Sequence, residues 1–288
     1  MNVYTERDSW SPEQVAEFKN RGRFRSVPFA SVMSAAKVLQ DKKHFVAEGD
    51  SWFDYPVGTD LIDCLRDRGY QIDNFAKAGD TLENMIFGSA VDGDYAPAAS
   101  TIGRVLERIG EVKPRVFLFS GGGNDVAGDE FISFLNHRDS GLSDVREEYV
   151  EFMVEKVFRK CYEALISKVA ATSPATYIVT HGYGHSLPTG KGVKFIFKTW
   201  AGPWLLPALA MKRITDPIRQ KEIVAILIDA LNGMLLDLSN KNEKFKYVDL
   251  RPILDPYTDW VNELHLRNSA YSRAAEKIDS VITTLPLD

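Results

Sequence analysis

The stretch FVAEGDSWFDYP, residues 45–56, places a serine directly after an apolar run that is typical of a buried strand. Ser51 follows Gly49 and Asp50, and aromatic residues come next. A serine hydroxyl attacks an acyl carbon when a base removes its proton and hydrogen-bond donors stabilise the oxyanion that forms. Ser51 is therefore a candidate nucleophile at the end of a strand and the predicted start of a helix. A serine that caps a helix N-terminus fits the same local pattern.

Two further segments carry candidate donors for an oxyanion. Gly79, within AKAGDT, lets the backbone approach a ligand closely and direct its N–H outward, although an ordinary turn glycine has the same signature. In SGGGNDV, residues 120–126, Asn124 has a side-chain amide that donates hydrogen bonds, and a glycine-rich turn closed by an Asn cap is the alternative. These glycines form neither a P-loop nor a GxGxxG pattern, so they do not predict a phosphate site.

A general base for this chemistry is present near the C-terminal end. His265, within NELHLRN, lies in a predicted loop before the final helix. Histidine is the side chain that most often acts as a general base, whereas an isolated histidine is also often structural. Whether His265 acts on Ser51 depends on which elements bring the two residues together.

Five short β-type runs alternate with helical patterns along the chain. The runs are HFVAEG at 44–49, YQIDNFA at 70–76, RVFLFSGG at 115–122, TYIVTHG at 176–182 and KFKYVDL at 244–250. This alternation predicts an α/β fold in which a parallel five-stranded sheet lies between two helical layers. Ligands bind at the carboxyl ends of such strands, which is where Ser51, Gly79 and Asn124 are expected.

Helix signals support this organisation. Ser11 and Pro12 fit the cap and first position of an N-terminal helix. Two longer segments have apolar residues near the helical period. The first comprises Tyr149, Phe152, Met153, Val157, Cys161, Leu165 and Val169, and the second comprises Ile223, Leu227, Leu231, Leu235 and Leu238. We expect one domain over 1–288, with a helical extension at about 1–43 and an apolar insertion at about 186–217.

Taken in order, the blocks with Ser51, Gly79, Gly122-Gly123-Asn124-Asp125 and His265 resemble the SGNH (GDSL-type) hydrolase family over about residues 44–280. Each block is short, but four in this order at strand ends form a specific pattern. The resemblance implies a flavodoxin-like sheet of order 2-1-3-4-5 and an esterase that needs no metal or cofactor. It implies that Ser51 is the nucleophile, that His265 is the base and later the acid, and that the Ser51 and Gly79 N–H groups and the Asn124 side chain form the oxyanion hole.

One position departs from the family pattern. The family has an aspartate three residues before the histidine, and this chain has Asn262. An asparagine oxygen can orient an imidazole but cannot stabilise the imidazolium by charge. The third catalytic member is therefore Asn262, or a carboxylate from Glu263 or Asp259, or it is absent and the enzyme uses a Ser-His dyad.

The segment 192–214 is apolar and longer than most connections in such folds, which favours a functional role. Together with Trp52 beside the serine, its aromatic residues Phe197, Trp200 and Trp204 are candidates for substrate binding. They favour an acyl ester with a lipid-like tail, whereas an extra packed helical layer is the alternative. Four basic residues are candidates for contact with an acidic headgroup at a lipid surface: Lys194, Lys198, Lys212 and Arg213.

Three kinds of function remain open at this point. The first is a serine esterase or lipase that forms an acyl-enzyme on a small-molecule or lipid ester. The second is an O-acetyl-carbohydrate esterase or a thioesterase of the same fold. The third is a non-catalytic binding protein that retains the fold, which only Asn262 in place of an aspartate favours.

Composition limits the other classes. The formal charge is -5, and without a dense basic block it disfavours nucleic-acid binding. Cys64 and Cys161 lack disulfide or metal-ligand spacing and are expected to be thiols. The charged N-terminal segment has no apolar centre and no later stretch is apolar enough to span a bilayer, so we expect a cytoplasmic location. The sequence predicts no oligomeric state.

Overall fold

A five-stranded parallel sheet forms the centre of the protein. The computed structural model describes residues 43–89, 91, 100–195 and 198–286. The strands are β1 (His44–Gly49), β2 (Gln71–Asn74), β3 (Val116–Ser120), β4 (Tyr177–His181), β5 (Val193–Phe195), β6 (Lys198–Ala201) and β7 (Phe245–Val248). The central sheet has the order β2-β1-β3-β4-β7, and β5 and β6 form a separate antiparallel hairpin. Counted without the hairpin, this is the predicted order 2-1-3-4-5.

Helices cover both faces of this sheet and complete three layers. They are α1 (Leu61–Asp67), α2 (Leu82–Phe87), α3 (Thr101–Val112), α4 (Gly123–Ala127), α5 (Glu147–Phe152), α6 (Arg159–Thr172), α7 (Leu205–Met211), α8 (Pro217–Lys241) and α9 (Asn268–Thr284). α9 packs against α1, β4 and β7, whereas α3 packs against β1 and α6. Every residue of β3 and β4 is buried, as expected for strands covered on both faces.

Of the two predicted helical faces, one is buried as expected and the other is partly exposed. The five apolar residues predicted for the face of α8 are all buried, and Asp216 caps this helix by accepting a hydrogen bond from the Ile218 N–H at 3.1 Å. In the other segment a π-helical turn, Met153–Phe158, separates α5 from α6. A π turn shifts the phase between the helices on its two sides, so Tyr149 and Phe152 on α5 do not continue the buried face of α6. Both are exposed, and the prediction that they belong to the buried face was wrong.

The predicted helix start at Ser51 was also wrong. Residues 51–54 form a turn, and α1 begins only at Leu61. Asp60 caps α1, since its side chain accepts a hydrogen bond from the Asp63 N–H at 2.8 Å. Ser51 therefore neither caps a helix nor lies at a helix N-terminus.

The predicted insertion contains the β5–β6 hairpin and α7. Trp204 is the residue directly before α7. Phe197 and the side chain of Trp200 lie outside the described part of the chain, as do Ser11 and Pro12 of the N-terminal extension. Cys64 and Cys161 are both buried free thiols. No helix in the described ranges has the length and apolar character needed to cross a membrane.

Candidate active site

The serine, the histidine and the asparagine form one hydrogen-bonded chain. Ser51 Oγ lies 2.8 Å from His265 Nε2, although 214 residues separate them in sequence. His265 Nδ1 lies 3.0 Å from Asn262 Oδ1. With the proton on Nδ1, the imidazole donates to Asn262 and accepts from the serine hydroxyl. In this tautomer the ring can remove the proton of Ser51.

Asn262 is held firmly in this position. Its Oδ1 also accepts hydrogen bonds from the backbone N–H groups of Leu264 and His265, each at 2.9 Å. Its Nδ2 donates to the Tyr55 hydroxyl at 3.4 Å. The Tyr55 ring stacks on the His265 ring with centroids 4.2 Å apart. These contacts fix the plane of the imidazole without a charged partner.

The two neighbouring carboxylates make other contacts. Asp259 forms an ion pair with Arg273 at 2.6 Å and accepts a hydrogen bond from the Asp255 N–H at 2.7 Å. Glu263 is fully buried and accepts hydrogen bonds from four backbone N–H groups. Its donors are Gly190 at 2.9 Å, Trp204 at 2.6 Å, Leu205 at 2.7 Å and Leu206 at 3.1 Å. Among the three candidates, Asn262 is the residue that the structure places against His265.

Glu263 thereby joins the insertion to the loop that carries His265. It accepts from the first residues of α7, where unpaired N–H groups and the helix dipole favour a negative charge. Trp204, one of its donors, lies edge-on to His265 with ring centroids 6.0 Å apart. The sequence indicates Glu263 only as a possible third catalytic member. Its structural role has no local signal, because the donors lie more than fifty residues away.

Burial lowers the pKa of His265 to about 3. The imidazolium is disfavoured because it loses its hydration, and Asn262 brings no charge to compensate. At neutral pH the ring is therefore neutral, which is the form that accepts a proton.

A second network lies beneath the nucleophile. Asp50 accepts hydrogen bonds from the Ser120 hydroxyl at 2.8 Å, from the Trp52 N–H at 3.0 Å and from the Tyr183 hydroxyl at 2.5 Å. Burial raises the pKa of Asp50 to about 6, and these hydrogen bonds oppose that rise. The network ties the Ser51 turn to β3 and to the chain after β4. Tyr183 was not identified from the sequence, since a tyrosine past a strand has no distinctive pattern.

Gly49 is required by a close approach between strands. A Cβ atom at this position would lie 2.7 Å from both the Cβ and the backbone oxygen of Ser120. Only glycine therefore allows β1 to pass β3 directly before the nucleophile.

The predicted oxyanion donors meet Ser51 at one cleft of about 380 Å³. Gly79, Asn124 and His265 line this cleft together with Ser51. Gly79 has φ +80°, a conformation that glycine adopts readily. The Asn124 Nδ2 donates to the Asp80 carbonyl at 2.8 Å, which orients the amide. The carboxyl ends of β1, β2 and β3 thus bring the three predicted segments together.

The predicted substrate-binding aromatics have separate locations. Trp204 lines the cleft, on a wall with the apolar residues Tyr55, Pro56, Val193 and Leu264. Polar and charged residues also line it: Lys77, Asp80, Thr81, Asn84, Ser89, Asp129 and Glu130. Trp52 is buried behind Ser51, where it stacks on His181 with centroids 5.1 Å apart. Trp52 therefore faces the interior and not this cleft.

No protein-family model matches the sequence, and no curated protein matches it. Among solved structures, a lipase from a goat rumen metagenome aligns at TM-score 0.52 and 14% identity, covering 85% of this chain and 99% of that one. The periplasmic domain of a lipopolysaccharide acetyltransferase from Salmonella ser. Paratyphi A aligns at TM-score 0.51 and 12% identity, covering 97% and 100%. An extracellular lipase from Streptomyces rimosus aligns at TM-score 0.50 and 12% identity, covering 82% and 98%.

At sequence identities of 12% and 14%, these alignments show a shared fold and nothing more. The chain has the three-layer α/β/α fold of these lipases and of the acetyltransferase domain. The predicted resemblance to the SGNH (GDSL-type) hydrolases is confirmed at that level.

Proposed function

We propose that this protein is a serine esterase that hydrolyses a carboxylic ester through an acyl-enzyme on Ser51. The observation that carries the proposal is the 2.8 Å contact between Ser51 Oγ and His265 Nε2, with Asn262 on the other imidazole nitrogen. A neutral, oriented imidazole beside a serine hydroxyl is the arrangement that nucleophilic acyl transfer needs.

In the first step, Ser51 Oγ forms a bond to the ester carbonyl carbon while its proton moves to His265 Nε2. The carbonyl oxygen becomes an oxyanion, for which the Ser51 and Gly79 N–H groups and the Asn124 amide are the donors. The carbon–oxygen bond to the alcohol then breaks, and the alcohol oxygen takes the proton from His265. Water repeats the sequence on the acyl-enzyme and releases the acid.

Asn262 affects the energy of this reaction. It keeps the proton on Nδ1 and holds the ring plane, but it adds no negative charge beside the imidazolium that forms in each transition state. We therefore propose a Ser-His-Asn triad with a weaker base than a Ser-His-Asp triad. Removal of the Asn124 amide is expected to lower kcat about 10²- to 10³-fold.

The cleft supports a substrate with an apolar part. Trp204 and its apolar neighbours form a wall along which a lipid-like group can pack. The polar residues that also line the cleft, among them Lys77 and Glu130, favour a second candidate, an O-acylated hydroxyl-rich compound such as a carbohydrate. Both candidates use the same ester chemistry at Ser51.

The test compares Ser51→Ala with wild type and with Ser280→Ala, an exposed serine on α9 that serves as the matched control. Ser51→Ala is expected to abolish turnover of p-nitrophenyl acetate and labelling by a fluorophosphonate probe, with unchanged circular dichroism. Ser280→Ala is expected to retain both. If wild type neither turns over esters nor reacts with the probe, the protein is a binding protein of this fold and the proposal is wrong.

A further inference from the structure

Two cavities of very different size meet at Ser51. The cleft has a volume of about 380 Å³, and a second cavity, lined by Trp52, Tyr183 and Ile228, has a volume of about 20 Å³. Ser51 and Asn124 line both of them. His265 and Gly79 line the cleft but not the small cavity.

The positions of the catalytic groups determine which part of an ester enters each cavity. The tetrahedral carbon bonded to Ser51 Oγ has three other substituents: the oxyanion, the leaving alcohol oxygen and the acyl carbon. The alcohol oxygen must lie near His265 Nε2 to receive its proton, so the alcohol occupies the cleft. The oxyanion faces Asn124 and Gly79. The acyl carbon takes the remaining direction, and the small cavity is the other space that Ser51 lines.

We propose that the small cavity is the acyl subsite and that the natural substrate is an acetyl ester, or one of similar size, of a larger alcohol. This inference rests on the proposed serine esterase function. A volume of about 20 Å³ accommodates roughly one water-sized or methyl-sized group. The cleft, nearly twenty times larger, accommodates the alcohol along its apolar and polar walls.

The walls of the small cavity resist expansion. The Tyr183 ring packs so closely on Gly123 that a Cβ there would lie 2.6 Å from it. The Tyr183 hydroxyl is bonded to Asp50, and its carbonyl accepts from Asn232 Nδ2 at 3.1 Å. On another side, Trp52 Nε1 donates to the Leu264 carbonyl at 2.9 Å. A longer acyl chain would have to displace side chains that are hydrogen-bonded in place.

Ile228 can be shortened without loss of a side-chain hydrogen bond, and unlike Leu264 it does not also line the cleft. It lies on α8, is buried and lines the small cavity.

An acyl group in the small cavity also changes which part of the substrate the apolar insertion contacts. The sequence favoured a long acyl tail, whereas here Trp204 and its neighbours contact the alcohol part of the substrate.

The experiment measures kcat/KM for p-nitrophenyl acetate, butyrate and octanoate, so that only the acyl group varies. Each methylene that a pocket cannot accommodate lowers kcat/KM by roughly 10-fold or more. Butyrate has two more methylenes than acetate, so wild type is expected to prefer acetate over butyrate by roughly 100-fold or more. Ile228→Ala is expected to raise the butyrate-to-acetate ratio by about 10-fold. Ile228→Val, expected to give a smaller change in the same direction, serves if the alanine variant does not fold.

The matched control is Ile223→Ala, a buried isoleucine on the same helix that lines neither cavity. It is expected to lose stability as Ile228→Ala does while keeping the wild-type ratio. Turnover that depends on Ser51 but is as fast on octanoate as on acetate would overturn the acyl subsite and leave the esterase function intact. A butyrate-to-acetate ratio that is the same in the Ile228 variants and wild type would do the same. Absence of both turnover and fluorophosphonate labelling would overturn the two proposals together.

Discussion

Asn262 Oδ1 lies 3.0 Å from His265 Nδ1, so a neutral amide occupies the position against the imidazole where a charged carboxylate is expected. The same oxygen accepts two backbone N–H groups, and this geometry suits an aspartate equally well. The orientation of the histidine is thus separated from the electrostatic stabilisation of its protonated form. Substitutions at position 262 can therefore change the charge beside the imidazole or the orientation of the ring separately.

Asn262→Asp is expected to shift the pH dependence of the reaction. In the wild type, burial lowers the pKa of His265 to about 3, so the base stays neutral and competent well below its ordinary value of 6.5. A carboxylate would stabilise the imidazolium and raise this pKa. We expect the acid limb of kcat against pH to move upward and kcat at pH 8 to rise roughly 10-fold. Profiles of p-nitrophenyl acetate hydrolysis from pH 4 to 9 measure both effects.

Asn262→Ala is the control for this shift, because it removes orientation without adding charge. It is expected to lower kcat at every pH. If Asn262→Asp gave the wild-type acid limb, the charge at this position would not act on His265.

Gly79→Ala is expected to lower kcat by roughly 10- to 100-fold through the backbone alone. An added Cβ would meet no atom within 4 Å, but φ is +80°, where alanine is strained by about 1 kcal/mol. Relief of this strain rotates the N–H away from the oxyanion. Gly141→Ala is a matched control, since Gly141 has φ +75° and equally open surroundings. Both variants should lose similar stability in urea unfolding, and an equal loss of kcat in both would contradict the role of Gly79.

Glu263→Gln is expected to destabilise the insertion and, through Trp204, the contact with His265. The carboxylate accepts four N–H groups through both oxygens, whereas a glutamine nitrogen would face two of these donors. The loss is expected to be roughly 2–4 kcal/mol in urea unfolding. Faster proteolysis within 190–206 is expected under native conditions. The exposed Glu243→Gln is the control, and cleavage at the same rate in both variants would contradict the role of Glu263 as an anchor.

Asp125→Asn is expected to stabilise the protein increasingly as pH rises above about 4, with the full gain above pH 7. Burial raises the pKa of Asp125 from 3.8 to about 7, so the folded state binds a proton more tightly than the unfolded state. The wild type therefore loses stability as pH rises from about 4 to 7, and the asparagine variant escapes this loss. At roughly 1.4 kcal/mol per pKa unit, the gain at pH 8 has an upper limit of about 4 kcal/mol.

Urea unfolding of both proteins at pH 4 and pH 8 tests this expectation. The two free energies of unfolding should be nearly equal at pH 4, which serves as the internal control. A gain of the same size at both pH values would show that packing, and not ionisation, causes it.

The sequence by itself determined the parallel strands and the candidate groups at their carboxyl edge, and the resemblance carried by these groups implied the strand order. Runs such as VFLFS and YIVTH predict buried parallel strands because their apolar pattern is local, and the strands lie within one to two residues of their predicted bounds. The positions of Ser51, Gly79 and Asn124 directly after three strands also predict that they meet, because the carboxyl ends of parallel strands lie at the same edge of the sheet. The π turn in 153–158 and the late start of α1 escaped prediction, since tertiary packing overrides the local pattern there.

Only the tertiary structure decided between Asn262, Glu263 and Asp259. The three lie within five residues, and their sequence spacing allows each to contact His265. Contacts with remote groups separate them: Arg273 pairs with Asp259, and the N–H groups of the insertion surround Glu263. The size of the acyl subsite is likewise set by Tyr183, Trp52 and Ile228, which come from distant segments. Such contacts depend on where the chain returns in space, and no local pattern records that.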